Sequence, residues 1–315
     1  MVPESSHVGG GSAYEDQLSE LARSRISNAS FSTVRLHELT VMELLGMGSQ
    51  ACVFKALWTR QLRCSTSEIV VAIKELHASR TLDRETLIMT KEHPNILRCL
   101  DCTIEPPYLI VSEFCAGKSL AHYLYSSGER GGLCLSTKQR TKALLDVASG
   151  MAFLHEQNIM HRDLKSTNVL LTRIVRTEEE EVNAKVADFG LARQANTTEA
   201  MTMQVGSWRW MAPELFESDY TYDSKVDVYS FGMLTYETLT GRLPFGVEFP
   251  DVSEDDTRIA IYVCEGNRPS IDQVMPDAQP AMKELMCLCW AQDAENRPEF
   301  SESAAWLQRS MEELG

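Results

Sequence analysis

The sequence predicts an α+β fold built as two lobes. Three observations carry that prediction. The first third of the chain holds short β-type apolar runs with little helical periodicity. After Lys118 the apolar residues recur at helical spacing instead. With 315 residues, 43% hydrophobic and 24% charged, the chain can bury a sizeable core and has the composition of an ordinary globular protein. Strands segregated from helices indicate α+β rather than alternating βα units.

In chain order, residues 1–35 are rich in Ser, Gly and Ala with few large apolar side chains, and read as a flexible N-terminal tail. A short helical stretch is expected around Tyr14 to Arg25, and Arg23, Ser24, Arg25 and Ser27 interleave basic residues with serines on a solvated segment. Patterning begins near Leu36. Leu39–Leu45 and Ala51–Trp58 are β-type runs on either side of Gly46-Met47-Gly48-Ser49-Gln50. A third run, Ile69–Leu76, is rich in β-branched residues, and the polar stretch Thr59–Glu68 before it reads as a loop. A short helix is expected over Thr81–Lys91, stopped by His93-Pro94. Two more strands follow, Leu97–Ile104 and Tyr108–Phe114.

Thr137–His155 then places Leu144, Val147, Met151 and Leu154 on one helical face. Val226–Thr240 is apolar almost all round, as a buried helix should be, and Gly241 stands where a left-handed C-cap would. Pro280–Trp290 and Ser301–Leu314 are further helices. The acidic run Glu178–Glu181 falls between two short β runs, Val169–Thr172 and Ala184–Ala187, and reads as a solvated hairpin insertion.

Charge and composition exclude several functions. Lys plus Arg is 30 and Asp plus Glu is 45, a net charge of −15. Nucleic acid as the main partner requires a basic footprint that this chain lacks; a nucleotide requires only a local site. No apolar run approaches the roughly 18 residues of a membrane span. The N-terminus shows no secretory pattern, and Val2 excludes a myristoylation signal. The nine cysteines are scattered, which implies reduced thiols and a cytoplasmic protein. Cys99/Cys102 and Cys287/Cys289 lack the second pair that a zinc site needs, and read as core or strand cysteines.

Gly46-x-Gly48 is weak evidence alone, because Ala51 stands where a third glycine would be, and an ordinary hairpin turn accounts for it. Strands on both sides argue against a dinucleotide fingerprint, which needs a helix after the glycines. A dinucleotide oxidoreductase is therefore excluded. Further strings follow. Val71-Ala72-Ile73-Lys74 puts a lysine inside an apolar strand, where it needs a partner or an anion. His161-Arg162-Asp163-Leu164-Lys165-Ser166-Thr167-Asn168 precedes a short apolar strand, and Asp188-Phe189-Gly190 and Ala212-Pro213-Glu214 come after it.

Four such strings in this order resemble a eukaryotic-type protein kinase catalytic domain, over about Leu36 to Leu307. Lys165, two residues after Asp163, is the Ser/Thr-kinase pattern. The strings His161–Leu171 and Gly206–Glu214 are similar to the tyrosine kinase-like group, which includes Raf-like and mixed-lineage kinases. The resemblance implies a bilobed kinase fold over residues 36–310, with a strand-rich N-lobe at about 36–115 and a helical C-lobe at about 116–310.

It also implies an ATP- and Mg²⁺-dependent transferase acting on Ser or Thr of protein substrates, in intracellular signalling. Asp163 would take or orient the hydroxyl proton and Lys165 would neutralise the γ-phosphate, while Asn168 and Asp188 would hold Mg²⁺. Gly46 and Gly48 would cover the phosphates. Lys74 would hold the α- and β-phosphates and pair with a carboxylate. Among Asp83, Glu85 and Glu92 the choice falls on Glu85, which shares a helical face with Leu82 and Met89. Leu45, Val53, Ala72 and Leu170 would enclose adenine. Glu113-Phe114-Cys115 would be the hinge giving backbone hydrogen bonds to the base, with Ser112 as a small gatekeeper.

Met89, Leu100, His161 and Phe189 match the stacked apolar spine, Glu214 and Arg297 a buried ion pair, and Asp227 a brace for the backbone at His161 and Arg162. Arg162 would receive a phosphate from Thr197, Thr198 or Thr202, placed by an upstream kinase, whereas Ser207 matches a position that contacts the catalytic loop. Two alternatives accompany this expectation: a kinase-fold scaffold without activity, and a dual-specificity enzyme.

Overall fold

The computed structural model describes residues 34–48, 51–61, 65–77, 91–103, 106–125, 135–194, 207–216, 223–251, 257–271 and 278–314. The chain divides into two compact units, Met1–Thr90 with Arg98–Phe114, and Lys91–Leu97 with Cys115–Gly315. The class is α+β, as the segregated patterning predicts.

The first unit is an antiparallel five-stranded sheet. Its strands are β1 (Leu39–Met47), β2 (Ala51–Gln61), β3 (Thr66–Leu76), β4 (Cys99–Cys102) and β5 (Tyr108–Glu113), in the order β1-β2-β3-β5-β4. Alternation sends Phe54, Ala56 and Trp58 of β2 and Val71 and Ile73 of β3 into one apolar core with Leu39 and Val41. The Trp58 indole N–H reaches the Glu38 carboxylate at 3.1 Å, so the buried ring keeps a polar partner.

Two strand boundaries differ from the sequence reading. The stretch Thr59–Glu68 is mostly strand, because Thr59↔Glu68, Arg60↔Ser67 and Gln61↔Thr66 continue the β2–β3 ladder. Polar side chains are compatible with pairing where the hairpin extends into solvent. The strand expected over Leu97–Ile104 is shorter, Cys99–Cys102. Leu97 instead donates its N–H to Val186 O at 2.8 Å, within the second unit. The helix expected over Thr81–Lys91 lies outside the described residues, apart from Lys91, which is not helical.

The second unit is helical. Its helices are α1 (Leu120–Tyr125), α2 (Thr137–Glu156), α3 (Lys225–Thr240), α4 (Thr257–Cys264), α5 (Pro280–Cys289) and α6 (Phe300–Glu313). Four short strands complete it: β6 (Ile159–Met160), β7 (Val169–Leu171), β8 (Ala184–Val186) and β9 (Arg193–Gln194), pairing β6 with β9 and β7 with β8. Ser136 caps α2 with a reciprocal capping box to Gln139, and Glu299 and Glu302 do the same for α6. Helix α3 is the centre of this unit, with every residue from Val226 to Leu239 buried. It ends at Gly241, in the left-handed conformation at φ 65°, whose N–H returns to Glu237 O at 2.9 Å.

The insertion between β7 and β8 is tied down. Buried Gln139 donates through Nε2 to Thr177 O at 2.8 Å and Glu180 O at 2.9 Å, and Val175 and Val182 are buried on either side. Glu178, Glu179 and Glu181 stay exposed.

Of the paired cysteines, Cys99 is half-buried in β4, Cys102 and Cys289 are buried, and Cys287 is exposed on α5, neither a core nor a strand position. Cys102 is buried with Ala51, Leu76 and Ile110, and burial pushes the thiol of fully buried Cys289 up to about 12. Among the described residues no helix is long and apolar enough to cross a membrane.

Candidate active site

In the first unit, register decides which residues share a neighbourhood. Lys74 stands opposite Val53 on β2 and Ile110 on β5, and Ala72 stands opposite Ser112. Gly46 pairs with Val53, and the Gly48 N–H bonds Ala51 O at 2.9 Å, so the glycines form the tip of the β1–β2 hairpin. Leu45 is exposed beside them and Ser112 is buried. Glu113 is pinned through its side chain, which accepts the Arg98 N–H at 2.7 Å. One element pattern thus gathers Leu45, Gly46, Gly48, Val53, Ala72, Lys74, Ser112 and Glu113. Glu85 and Met89 lie outside the described residues.

In the second unit the loop from His161 to Asn168 is held from below. Asp227, fully buried at the start of α3, accepts from His161 N at 2.9 Å, Arg162 N at 2.7 Å and His155 Nε2 at 2.9 Å. Two of these donors are the successive backbone amides of His161 and Arg162, and Arg162 has a left-handed φ of 69°. His161 then fixes the next residue. Its Nδ1 accepts the Asp163 N–H at 3.2 Å, so its proton is on Nε2, which donates to Ala187 O at 3.0 Å. Its ring meets buried Phe189 edge-on, with centroids 5.1 Å apart.

Asp163 is held by one oxygen. Oδ2 accepts from Asn168 Nδ2 at 2.9 Å and lies 3.3 Å from Lys165 Nζ. Oδ1 is buried without a hydrogen-bond partner. Lys165 Nζ also donates to Ser207 Oγ at 2.5 Å, and Ser207 has a left-handed φ of 72°. Asn168 uses Nδ2 for both Asp163 O and Asp163 Oδ2, which leaves its Oδ1 as the atom for a cation. Asp188 is exposed at φ 64°, with the Gly190 N–H directed at its Oδ1 at 3.4 Å. Leu170 lies in β7 opposite Lys185, and Cys115 is half-buried just before the turn at Ala116 and Gly117.

Comparison with known proteins decides the family. The family model described as "Protein tyrosine and serine/threonine kinase" matches residues 39–307. The chain belongs to the protein kinase family. Among this kinase's relatives is the serine/threonine-protein kinase STY46 of Arabidopsis thaliana, 35% identical over 289 residues, covering 90% of this chain and 46% of that protein. Another is the serine/threonine/tyrosine-protein kinase HT1 of the same plant, 30% identical over 284 residues, covering 88% of this chain and 67% of that protein. A third is the dual specificity protein kinase pyk3 of Dictyostelium discoideum, 33% identical over 276 residues, covering 85% of this chain and 18% of that protein. The kinase chain spans about half the length of the first of these, 46%.

Protein kinases generally use ATP and Mg²⁺. The donor set of this kinase is suited to them. Asn168 Oδ1 and the Asp188 carboxylate are hard oxygen atoms of the kind Mg²⁺ takes, and Asp163 Oδ1 is a buried acceptor with no hydrogen-bond partner.

The kinase's structural ion pair is in place as well. Arg297 grips Glu214 with both Nη atoms, at 2.6 and 2.9 Å, and is 1% exposed. Two residues of the network escaped the sequence reading. His155 is the third donor to Asp227. Glu237 lies buried in α3 with donors from three other segments. The signal for Glu237 was available: it is an acid inside a helix apolar almost all round.

Proposed function

We propose that this chain is an ATP-dependent protein kinase that transfers the γ-phosphoryl group to Ser or Thr hydroxyls of protein substrates. The observation that carries the reading is Asp163. One carboxylate oxygen is fixed by Asn168 and Lys165, and the other is buried and unpartnered. Such a group is preorganised to accept a hydroxyl proton or to aim the hydroxyl.

ATP with Mg²⁺ would supply the transferable phosphoryl group and neutralise its charge. Around them the chain's own residues position and screen. Lys165 sits 3.3 Å from Asp163, and its ammonium would neutralise charge on the transferred group. Asn168 and Asp188 would hold the metal. Lys74, for which Glu85 is the proposed partner, would take the α- and β-phosphates, and the hairpin at Gly46 and Gly48 would cover them with no Cβ in the way. In the first unit Leu45, Val53 and Ala72 would contact adenine, Glu113 would bond its edge through the backbone and Ser112 would leave space behind it; Leu170 and Cys115 are the second unit's proposed adenine contacts. Arg162 is the receptor for a phosphate on Thr197, Thr198 or Thr202, which lie outside the described residues. The Lys165–Ser207 link supports a Ser/Thr acceptor. The name of pyk3 makes dual specificity the second reading.

The test is transfer of labelled phosphate from Mg²⁺-ATP to a basic protein, with Asp188→Asn as control and phosphoamino-acid analysis of the product. Phosphoserine or phosphothreonine, lost in Asp188→Asn, is the expected result; phosphotyrosine in addition would establish dual specificity. No transfer in any phosphorylation state would leave a scaffold. Full activity of unphosphorylated enzyme carrying Ala at Thr197, Thr198 and Thr202 would reject the switch.

A further inference from the structure

The connection between β7 and β8 is longer than a hairpin turn needs, and it is held in place at many points. The Thr172 N–H bonds Asn183 O at 3.0 Å and closes its base. Val175 and Val182 are buried beneath it, and the Val175 N–H reaches the Tyr123 hydroxyl at 3.1 Å. Gln139 donates to Thr177 O and Glu180 O, and the Glu180 carboxylate accepts the Arg176 N–H at 2.6 Å. A second wall comes from the turn at Ala116 and Gly117. Their N–H groups bond Thr172 O at 3.3 Å and Leu171 O at 2.9 Å. The approach is close, because a Cβ on Gly117 would collide with Arg173 O.

Between these walls lies a recess of about 470 Å³, lined by Ala116, Arg173, Ile174, Arg176, Glu180 and Glu181. All six belong to the second unit, and none has a role in the site described above. The volume is that of a pocket for a drug-sized ligand, or about two or three residues of peptide. Ile174 is 46% exposed, so an aliphatic group placed on it removes apolar surface from water. Residues 173–181 carry two arginines against four glutamates, and Glu178, Glu179 and Glu181 are exposed. The local sign matches the net charge of −15, so an anionic ligand is opposed and a cationic one favoured at both scales. Fixed walls keep the ordering cost of binding small.

We propose that the recess docks a basic segment of the kinase's protein substrate, with an aliphatic residue against Ile174 and Ala116 and Lys or Arg residues facing Glu178, Glu179 and Glu181. The proposal deepens the kinase reading above and rests on it. It gives a substrate a second foothold besides its acceptor hydroxyl.

Binding is measured first, without ATP. A fluorescent peptide with three Arg residues followed by a Leu, and no Ser, Thr or Tyr, is titrated with the full chain while anisotropy is recorded. Every side chain to be replaced is exposed, and thermal unfolding checks that each variant is folded. Ile174→Ser, which changes no charge, should weaken binding about fivefold. Glu178→Gln, Glu179→Gln and Glu181→Gln together should weaken it about tenfold. Arg173→Gln with Arg176→Gln should not weaken it. The same peptide with Glu in place of Arg should bind at least about tenfold more weakly. Turnover is measured second. Joined by a flexible glycine linker to a Ser-containing acceptor peptide, the basic segment should lower KM about tenfold with kcat unchanged. Ile174→Ser should remove most of that advantage and leave turnover of the acceptor peptide alone as it is in wild type.

Equal binding by wild type and Ile174→Ser would overturn the proposal, because the field of the whole chain would then hold the peptide without the recess. Tighter binding of the acidic peptide would overturn it as well. So would self-association of the chain that Ile174→Ser abolishes, which would assign the recess to a second copy. A linked substrate that binds without any gain in KM would overturn docking of substrates. A chain that phosphorylates no peptide defeats the kinase reading instead, and the anisotropy data still decide whether the recess takes a basic segment.

Discussion

Two buried acids on α3 respond to pH in opposite directions. Burial alone would raise the pKa of Asp227. The hydrogen bonds from His155 and the Arg162 N–H outweigh burial and hold it below the ordinary value. Glu237 goes the other way, because burial outweighs its donors from Ser166, Tyr125 and Trp210 and raises its pKa. By linkage, a depressed carboxylate contributes stability that is present above its unfolded pKa and lost as pH falls through its folded pKa. A raised one contributes stability present below its unfolded pKa and lost as pH rises through its folded pKa. Asp227→Asn should destabilise the protein by about 2–4 kcal/mol at pH 7, since Asn must turn its NH₂ toward a donor. Urea titrations of both proteins check this. The gap should be constant from neutral pH down to about 5, where unfolded Asp begins to titrate, and should narrow below it. A gap that widens on acidification would show that Asp227 is not held as a carboxylate.

The elements were legible to the extent that local pattern controls them. Helix α3 announced itself because it is apolar all round, and Gly241 marked its end. The β2–β3 hairpin was read too short because Thr59–Glu68 is polar, and pairing there follows from register set farther along the strands. Helices α1 and α4 went unread, being only 6 and 8 residues long. The site motifs could be read from the sequence because each is a continuous string. The Glu237 contacts could not, because Tyr125 and Ser166 lie 112 and 71 residues away.

Close approach is equally hidden from a sequence. A Cβ on Gly232 of α3 would sit 2.9 Å from Trp290 N and 3.1 Å from Cys289 Cβ, at the end of α5. Gly232→Ala gains about 1 kcal/mol of helix propensity. Overpacking against backbone costs about 1–3 kcal/mol. The variant should therefore be less stable than wild type by up to about 2 kcal/mol, visible as a lower unfolding midpoint. A more stable variant would mean that α5 can shift away from α3 at little cost.

The whole molecule carries a net charge of −15, and the exposed acids of the β7–β8 insertion contribute to it. The catalytic groups proposed above are of both signs, Lys74 and Lys165 against Asp163 and Asp188. On the proposed kinase reading, the acidic surface is expected to act on the approach of substrate rather than on the chemistry. At about 0.01 M salt the Debye length is near 30 Å, and a basic peptide feels much of the protein's charge; at 0.15 M it is about 8 Å, and the field is local. For a peptide with three added Arg residues, kcat/KM should fall roughly tenfold between these salt concentrations, mainly through KM. A peptide of the same acceptor sequence with neutral flanks should change by less than about twofold, because its association gains nothing from the field. Kinetics with the two peptides across the salt series separate steering from a general salt effect on the enzyme. Equal slopes for both would mean that the acidic surface has no part in substrate choice.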